Sequence, residues 1–520
     1  MRTWSKYQLA VFDNVANGTG HTIVNAVAGS GKSTTIENAV DYIPAGCSTI
    51  FVAFNKPIAD ALAKRMAGKP VEVSTLHSYG LKCITRTLGR LTIDKYRVAD
   101  CAEQSYRSEV EALRFTIASE ESADDVQRAH ERLDAIDDRC GLLVKTVSLA
   151  KSALALTPKA IDDVMYRFNI ELPTLGDDDD EEYDEEAADA DRAKFVEEVL
   201  GLLRRCWSTE DGRIDFDDMI WLPVVRKLPQ RKFDRVFVDE TQDLNAAQIE
   251  MTLRACREGG RILAVGDTKQ NIYEFRGADA RAFDNVRERL DAVELPLSIC
   301  YRCSKAVVKR AQVIVPTIEA APDAVEGEVL GVSREQMESG VRSGDFVLSR
   351  TNAPLIGLCM KFLRDGRRAN IQGRDVGANL AAFVKKSRAK TVEALRTYVE
   401  DWSKRECARL AAKKRDAQEV EDRAACLMAL SDGADSVAGV IDHINELFAD
   451  KSEGACVTLS TTHKAKGLER ERVWLLTGTY RPGTSAEESA LLYVAQTRAK
   501  HTLFLVEGFE KKRREDSGES

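Results

Sequence analysis

Five side chains between residues 32 and 270 have the types and spacing to act on a phosphoanhydride. Lys32 and Ser33 follow the small-residue run Ala26-Val27-Ala28-Gly29-Ser30-Gly31. In such a loop the backbone N–H groups of Ala28, Gly29, Ser30 and Gly31 can converge on phosphate oxygens. Lys32 can then reach the β and γ phosphates, the Ser33 hydroxyl can hold Mg²⁺, and Thr34 lies next to the bound nucleotide. Asp239 and Glu240 are the complementary acids, the first for the metal shell and the second to orient and deprotonate an attacking water. Gln270 falls on the side of the γ-phosphate. The set implies a Mg·NTP site.

These residues need strands that end where the chemistry begins. His21-Thr22-Ile23-Val24 precedes the small-residue loop, and Thr35-Ile36-Glu37-Asn38-Ala39-Val40 after it suits a helix. Arg235-Val236-Phe237-Val238 delivers the acid pair, and Ile262-Leu263-Ala264-Val265 runs into the segment holding Gln270. Two further strands, Thr49–Phe54 and Val71–Val73, lead into Asn55 and into Thr75 and His77. Parallel α/β sheets place ligands at the carboxyl ends of their strands, which makes these loop residues candidate contacts. Tyr273, Phe275 and Arg276 offer two π faces and a cation within four residues. Stacking on such a platform is worth roughly 1–3 kcal/mol per base, although both aromatics could equally be core. Gln8 has an amide that can donate and accept together, as the edge of adenine requires, while the plain alternative is a surface-helix glutamine.

Composition bounds the rest. With 520 residues, 44% hydrophobic and 31% charged, the chain reads as three or four ordinary globular domains. No apolar run approaches the roughly 20 residues of a membrane span, and the N-terminal sequence has no signal-peptide core, so an intracellular, cytoplasmic protein without membrane contact is expected. The twelve cysteines are scattered except for Cys300 and Cys303, and a lone CxxC does not make a zinc site. The net charge of −9 is misleading, because residues 177–191 alone hold eleven acids and no base. That block reads as a solvated, mobile loop or, alternatively, as a phosphate mimic lying in a nucleic-acid groove. Without it the chain is slightly basic, so charge does not argue against a nucleic-acid partner.

At this point the motifs are specific enough to compare. Asp239–Asp243, DETQD, followed by Val265–Ala278, VGDTKQNIYEFRGA, resembles motifs II and III of superfamily 1 helicases of the UvrD/Rep type. Gln8 then resembles the Q motif, AVAGSGKST motif I, VAFNKPIADA motif Ia and STLHSYG motif Ib, and DFDDMI is similar to another segment of the group. In the second half LSICYRCS resembles motif IV, with Cys300 where Asn is usual, LSRTNA a DNA-backbone segment, CVTLSTTHKAKGLE motif V and ESALLYVAQTRAK motif VI. The resemblance implies that Tyr301 stacks on the base, Arg302 reaches the γ-phosphate, Glu469 takes the ribose and Arg498 is a second arginine finger. It further implies DNA contacts from Arg350, Asn352, Thr462 and His463. VAFNKPIADA, LSRTNA, THKAKGLE and LLYVAQTRAK look nearest the F-box DNA helicase branch, without an F-box.

The fold class expected is α/β, with two RecA-like P-loop domains built on parallel sheets, each carrying a mainly helical insertion. Residues 1–85 and 205–297 form the first domain and 86–204 its insertion with the acidic loop. Residues 298–373 and 455–520 form the second domain, and 374–454 a reduced insertion where relatives carry a larger 2B domain. The function implied is an ATP-dependent helicase or translocase moving 3′→5′ on single-stranded DNA and acting at single-strand/duplex junctions, with ATP hydrolysed between the two domains. Protein partners in repair, recombination, replication or phage-related complexes, and a nucleoid location on DNA in a bacterial or phage-infected cell, belong to the same expectation. The alternatives are a translocase that displaces bound proteins with little unwinding, and an ATP-switched subunit that is no motor.

Overall fold

The computed structural model describes residues 3–53, 55–119, 122–172, 185–272, 281–412, 417–448 and 456–509. It divides into two compact units. The first takes in the chain up to Ala26 and again from Lys32 to Leu297, and the second takes in Val27–Gly31 and the chain from Ser298 onward.

The first unit is built on runs of β-branched and aromatic residues that have no polar face. Helix α1 (Lys6–Asn17) leads into strand β1 (Thr22–Ala26), and β1, β2 (Thr49–Ala53) and β3 (Val71–Thr75) are joined through helices α2 (Lys32–Ala39) and α3 (Lys56–Arg65). After α4 (Leu76–Leu88) the short strands β4 (Thr92–Ile93) and β5 (Arg213–Ile214) pair in parallel, and between them the chain leaves the sheet. Strands β6 (Phe233–Val238), β7 (Cys256–Gly266) and β8 (Val293–Leu297) complete a six-stranded parallel sheet of order β3-β2-β6-β7-β1-β8. Such a sheet is covered on both faces, which explains the continuous apolar strands. Alternate residues still separate cleanly. Ile23, Val52, Val238 and Ala264 pack on one face, and Val24, Phe51, Phe237 and Val265 on the other. Because β1, β6 and β7 are parallel neighbours, with Val24 opposite Val265 and Val238 opposite Ala264, the loops after them emerge along one edge.

The segment between β4 and β5 is helical in its described residues. Helices α5 (Arg97–Ser119), α6 (Ala123–Ala153), α7 (Pro158–Arg167) and α8 (Glu185–Ser208) close on Ile136, Leu143, Val147, Phe195 and Val199. That core continues into Met219, Trp221 and Leu222 of α9 (Asp218–Val225), so the insertion is not a separate globule. The acidic block corrects one expectation. Residues 177–184 lie outside the described part, but the remainder begins α8 instead of forming a loop. Alanines 187, 188 and 190 favour the helix, and Asp191 is fixed to Arg139 at 2.9 Å.

The second unit repeats the plan. A two-stranded parallel pair, β9 (Ile299–Cys300) with β10 (Glu319–Ala320), precedes a six-stranded parallel sheet. Its strands are β11 (Glu328–Val332), β12 (Phe346–Ser349), β13 (Ala369–Ile371), β14 (Val457–Thr461), β15 (Arg470–Leu476) and β16 (Ala499–Val506), in the order β11-β16-β15-β12-β14-β13. Helices α10 (Ala246–Ala255) and α11 (Ala282–Leu290) belong to the first sheet, and α12 (Lys305–Ala311), α13 (Arg334–Gly340) and α14 (Ala353–Arg364) to the second. Between β13 and β14 stand α15 (Arg374–Lys386), α16 (Val392–Ala412), α17 (Gln418–Ser431) and α18 (Val437–Leu447). Leu380, Val384, Leu395, Leu427, Val440 and Ile444 of these helices share one core with Val347, Phe362 and Leu459 beside the sheet. After β14 come the one-turn α19 (Thr462–Ala465) and α20 (Ala486–Gln496). Both units therefore have the parallel-sheet, RecA-like architecture. Among the described residues no single helix is long and apolar enough to cross a membrane.

Candidate nucleotide and DNA site

The P-loop is held open by two glycines. Gly29 and Gly31 have φ of 68° and 75°, a region costly to side chains, and α2 starts directly at Lys32. Lys32 Nζ meets Glu240 Oε2 at 3.0 Å, with the lysine side chain 13% exposed. Ser33 Oγ lies 3.4 Å from Asp239 Oδ2, and the Glu240 N–H donates to Asp239 Oδ1 at 2.9 Å. Glu240 itself sits in the left-handed region, φ 52° and ψ 42°, a backbone state that non-glycine residues keep only where the surroundings impose it.

A chain of polar contacts runs on from there. Gln242 Nε2 donates to Glu240 Oε2 at 2.5 Å, and Gln242 Oε1 accepts the Asp267 N–H at 3.0 Å. Gln270 Nε2 then donates to Asp267 Oδ2 at 2.6 Å. Lys32 is thus linked without a break to Gln270. The charges are mutually dependent. Burial opposes the Lys32 ammonium, but the carboxylates of Glu240, Asp239 and Asp267 outweigh it and hold its pKa above the usual value. Burial also pushes the Asp239 carboxyl up, with Glu240 adding to the effect and Lys32 opposing it, and burial raises Asp267 in the same way. The arrangement stores negative charge around one lysine, ready for a cation and a polyanion together.

Gln8 is more deeply placed than a surface glutamine. It is buried, its Oε1 accepts the Ser5 N–H in a capping box, and its Nε2 donates to Thr35 Oγ1 at 3.1 Å, one turn into the P-loop helix.

In the second unit the Ala28 N–H donates to Tyr493 Oη at 2.9 Å and the Tyr301 N–H donates to Gly29 O at 2.8 Å. A Cβ on Gly29 would stand 2.6 Å from the Cβ of Arg302, a second reason for glycine there. The Tyr301 ring is 48% exposed and open to a stacking partner. Arg302 pairs through Nε with Glu469 and donates from Nη1 to Thr497 O at 3.3 Å. Although burial acts against it, Arg302 and Lys500 hold the Glu469 carboxyl below its ordinary pKa. Arg498 is fully buried and donates to Val494 O at 2.9 Å and Leu468 O at 3.3 Å. Burial, with the Arg302 cation beside it, pushes its guanidinium down to about 10.

Two stretches of the chain match known families. The family described as UvrD/REP helicase N-terminal domain matches residues 9–291, and that described as UvrD-like helicase C-terminal domain matches residues 457–506. The chain belongs to the UvrD/REP helicase family. It is 24% identical over 326 residues to ATP-dependent DNA helicase Rep of Escherichia coli (strain K12), covering 57% of this chain and 41% of Rep. Against ATP-dependent DNA helicase PcrA of Bacillus subtilis (strain 168) the identity is 24% over 317 residues, 57% of this chain and 37% of PcrA. Against ATP-dependent DNA helicase UvrD1 of Mycobacterium leprae (strain TN) it is 25% over 324 residues, 56% of this chain and 37% of UvrD1. The chain spans about two fifths of the length of these curated relatives.

The candidate DNA contacts of this UvrD/REP helicase are held in several ways. Asn55 caps α3 by accepting the Ile58 N–H, and Thr75 caps α4 by accepting that of Ser78. His77 is half-buried, its ring 6.4 Å from the exposed Phe216 ring, and burial keeps its imidazole below the ordinary pKa. Arg350 Nε meets Glu488 Oε1 at 2.6 Å, and Asn352 is held by Asp422. The Thr462 hydroxyl is buried against Tyr480 Oη at 2.5 Å, and His463 is half-buried at the start of α19. Tyr273, Phe275 and Arg276 lie outside the described residues.

Reading the sequence missed three structural residues. Gln242 is the bridge between Glu240 and Asp267, and Tyr493 binds the P-loop backbone; each was inside a recognised motif, yet no spacing pointed to its role. The third is Lys151, buried on α6 with Nζ 2.5 Å from Asp215 and 2.8 Å from Asp218 of the DFDDMI segment. Arg97 adds contacts to Asp218 at 2.7 Å and Asp211 at 2.9 Å. The Cys206 thiol joins Asp215 and Asp218 in a group that could hold a cation, but the Lys151 ammonium already supplies that charge.

Proposed function

We propose that this chain is an ATP-dependent DNA motor that moves 3′→5′ along a single strand and unwinds duplex ahead of it. The observation that carries the reading is the unbroken polar chain Lys32–Glu240–Gln242–Asp267–Gln270. It ties a phosphate-binding lysine to the residue expected at the γ-phosphate, so loss of that phosphate would be felt by the whole chain. Lys32 would exchange Glu240 for phosphate oxygens, freeing that carboxylate to orient a water and take its proton. Ser33 and Asp239 present hard oxygen donors 3.4 Å apart, which fits Mg²⁺; the ion would neutralise charge on the transferring phosphoryl group. Arg302 and Arg498 would supply positive charge to the same group, an effect worth about 10³–10⁵ in rate for arginine fingers. Asn55, Thr75, His77, Tyr273, Phe275, Arg276, Arg350, Asn352, Thr462 and His463 would line the DNA strand. The names of Rep, PcrA and UvrD1, each an ATP-dependent DNA helicase, support this reading.

A second reading has its own observation. Helices α15–α18 share one core with the second sheet and so resemble a fixed buttress more than a swinging 2B domain. That favours a translocase that strips proteins from single strands with modest unwinding, in keeping with a reduced insertion of the F-box helicase-like branch. Partners in repair, recombination, replication or phage-related complexes would follow from either activity. Unwinding of 3′-tailed against 5′-tailed duplex, by the parent and by Glu240→Gln, tests both readings. Unwinding of the 3′-tailed substrate alone, lost in the variant, is the expected result. Protein displacement without unwinding selects the second reading, and ATPase unresponsive to single-stranded DNA overturns both.

A further inference from the structure

The segment Ser349–Ala353 ends β12 and begins α14, and two of its polar side chains, Arg350 and Asn352, are each held by a carboxylate from another element. Arg350 is held by Glu488, which is buried on α20 and also accepts the Arg481 N–H at 3.2 Å. Asn352 is held differently. Helix α14 has no cap of its own, since Asn352 is already helical, with φ −84° and ψ −33°, and its side chain caps nothing. The cap comes from Asp422 on α17, in the insertion. Its Oδ2 accepts the Asn352 N–H at 2.9 Å and the Asn352 amide Nδ2 at 3.2 Å, and its Oδ1 accepts the Ala353 N–H at 2.8 Å. Three donors converge on one half-buried carboxylate.

We propose that Asp422 is a positioning residue that occupies Asn352 in the DNA-free protein and competes with a DNA phosphate for it. The inference rests on the reading of Asn352 as a DNA contact. A phosphate approaching the Asn352 amide meets a carboxylate on the same donors, and like charges at that separation oppose each other strongly where solvent is partly excluded. DNA therefore engages Asn352 only as Asp422 withdraws, and withdrawal loosens α17 from the start of α14. The insertion becomes an element that responds to the strand. Arg350 differs, because only its Nε faces Glu488, leaving the far side of the guanidinium fork for another anion.

The test is equilibrium binding of a fluorescent oligo-dT to nucleotide-free protein at low salt. Asp422→Asn keeps size and one acceptor oxygen but removes the charge. Glu419→Gln makes the same charge change one turn away on α17, where the carboxylate pairs with Arg423 at 3.7 Å. Asp422→Asn should tighten binding by about five- to tenfold and Glu419→Gln by less than about twofold. Asp422→Ala, which also removes the cap, should tighten binding as well, with a lower thermal midpoint. Equal effects of Asp422→Asn and Glu419→Gln, or unchanged or weaker binding in Asp422→Asn with the parent's thermal midpoint, overturn the proposal. Asn352→Ala separates the two levels. If it leaves affinity unchanged, the reading of the segment fails and the inference with it; if it weakens binding while Asp422→Asn does not tighten it, the competition alone is wrong.

Discussion

In the first unit Lys32 is neutralised by side chains: Glu240 faces it, and Gln242, Asp267 and Gln270 continue the chain. In the second unit Arg498 rests mainly on the main chain, on the carbonyls of Val494 and Leu468, while Arg302 divides its contacts between the Glu469 carboxylate and the carbonyl of Thr497. The contrast follows from the chemistry asked of each. Such a relay can change partners when phosphate arrives, because every link except the Asp267 N–H is a rotatable side-chain group. A guanidinium held by carbonyls, as Arg498 is, is a cation whose direction is fixed by the backbone around it. The first unit is organised to change partners and the second to present charge from a defined place.

Three changes would break or sharpen that comparison. Lys32→Ala removes the only cation facing Asp239, Glu240 and Asp267 in the described relay, and DNA-stimulated ATPase should fall by about 10³-fold or more in a steady-state phosphate-release assay. Survival of more than a tenth of the activity would show that the relay does not organise the site. Arg302→Lys keeps the charge but not the fork that reaches Glu469 and Thr497 together. The expected loss is about 10–10²-fold in kcat with little change in KM for ATP, and full activity would mean that a point charge suffices there. The smallest effect is on pH. Because burial, with Glu240 beside it, raises the Asp239 pKa, this carboxylate gains its proton at a higher pH than an exposed aspartate. The Mg²⁺ concentration for half-maximal ATPase should therefore rise several-fold as pH falls from about 7.5 to about 6. A flat Mg²⁺ requirement over that range would remove Asp239 from the metal shell.

Much of this architecture was legible in the chain. Apolar strands ending in Lys32, Asp239 and Gln270 predicted a parallel sheet with one active edge, because strand period and loop chemistry are local properties. The position of Gln8 beside Thr35 was weakly legible, since a capping box at Ser5 says where a helix starts and nothing about what the helix packs on. The anchoring of Lys151 to Asp215 and Asp218, or of Asp422 to Asn352, could not be read at all. These pairs join positions more than sixty residues apart, and neither end departs from ordinary surface composition until the fold brings them together. The acidic stretch misled for a related reason: charge density argued for a loop, while the alanines and Arg139 made its last two turns helical.

Lys151 carries a further consequence. The insertion enters and leaves the first sheet through the two-residue strands β4 and β5, which alone would form a pliant stalk. With its ammonium enclosed by two carboxylates from the sheet side of the junction, breaking that pair would leave buried charge uncompensated, at about 3–5 kcal/mol. Insertion and sheet should therefore melt as one cooperative body, which would make a sequence that reads as an added module thermodynamically part of its host.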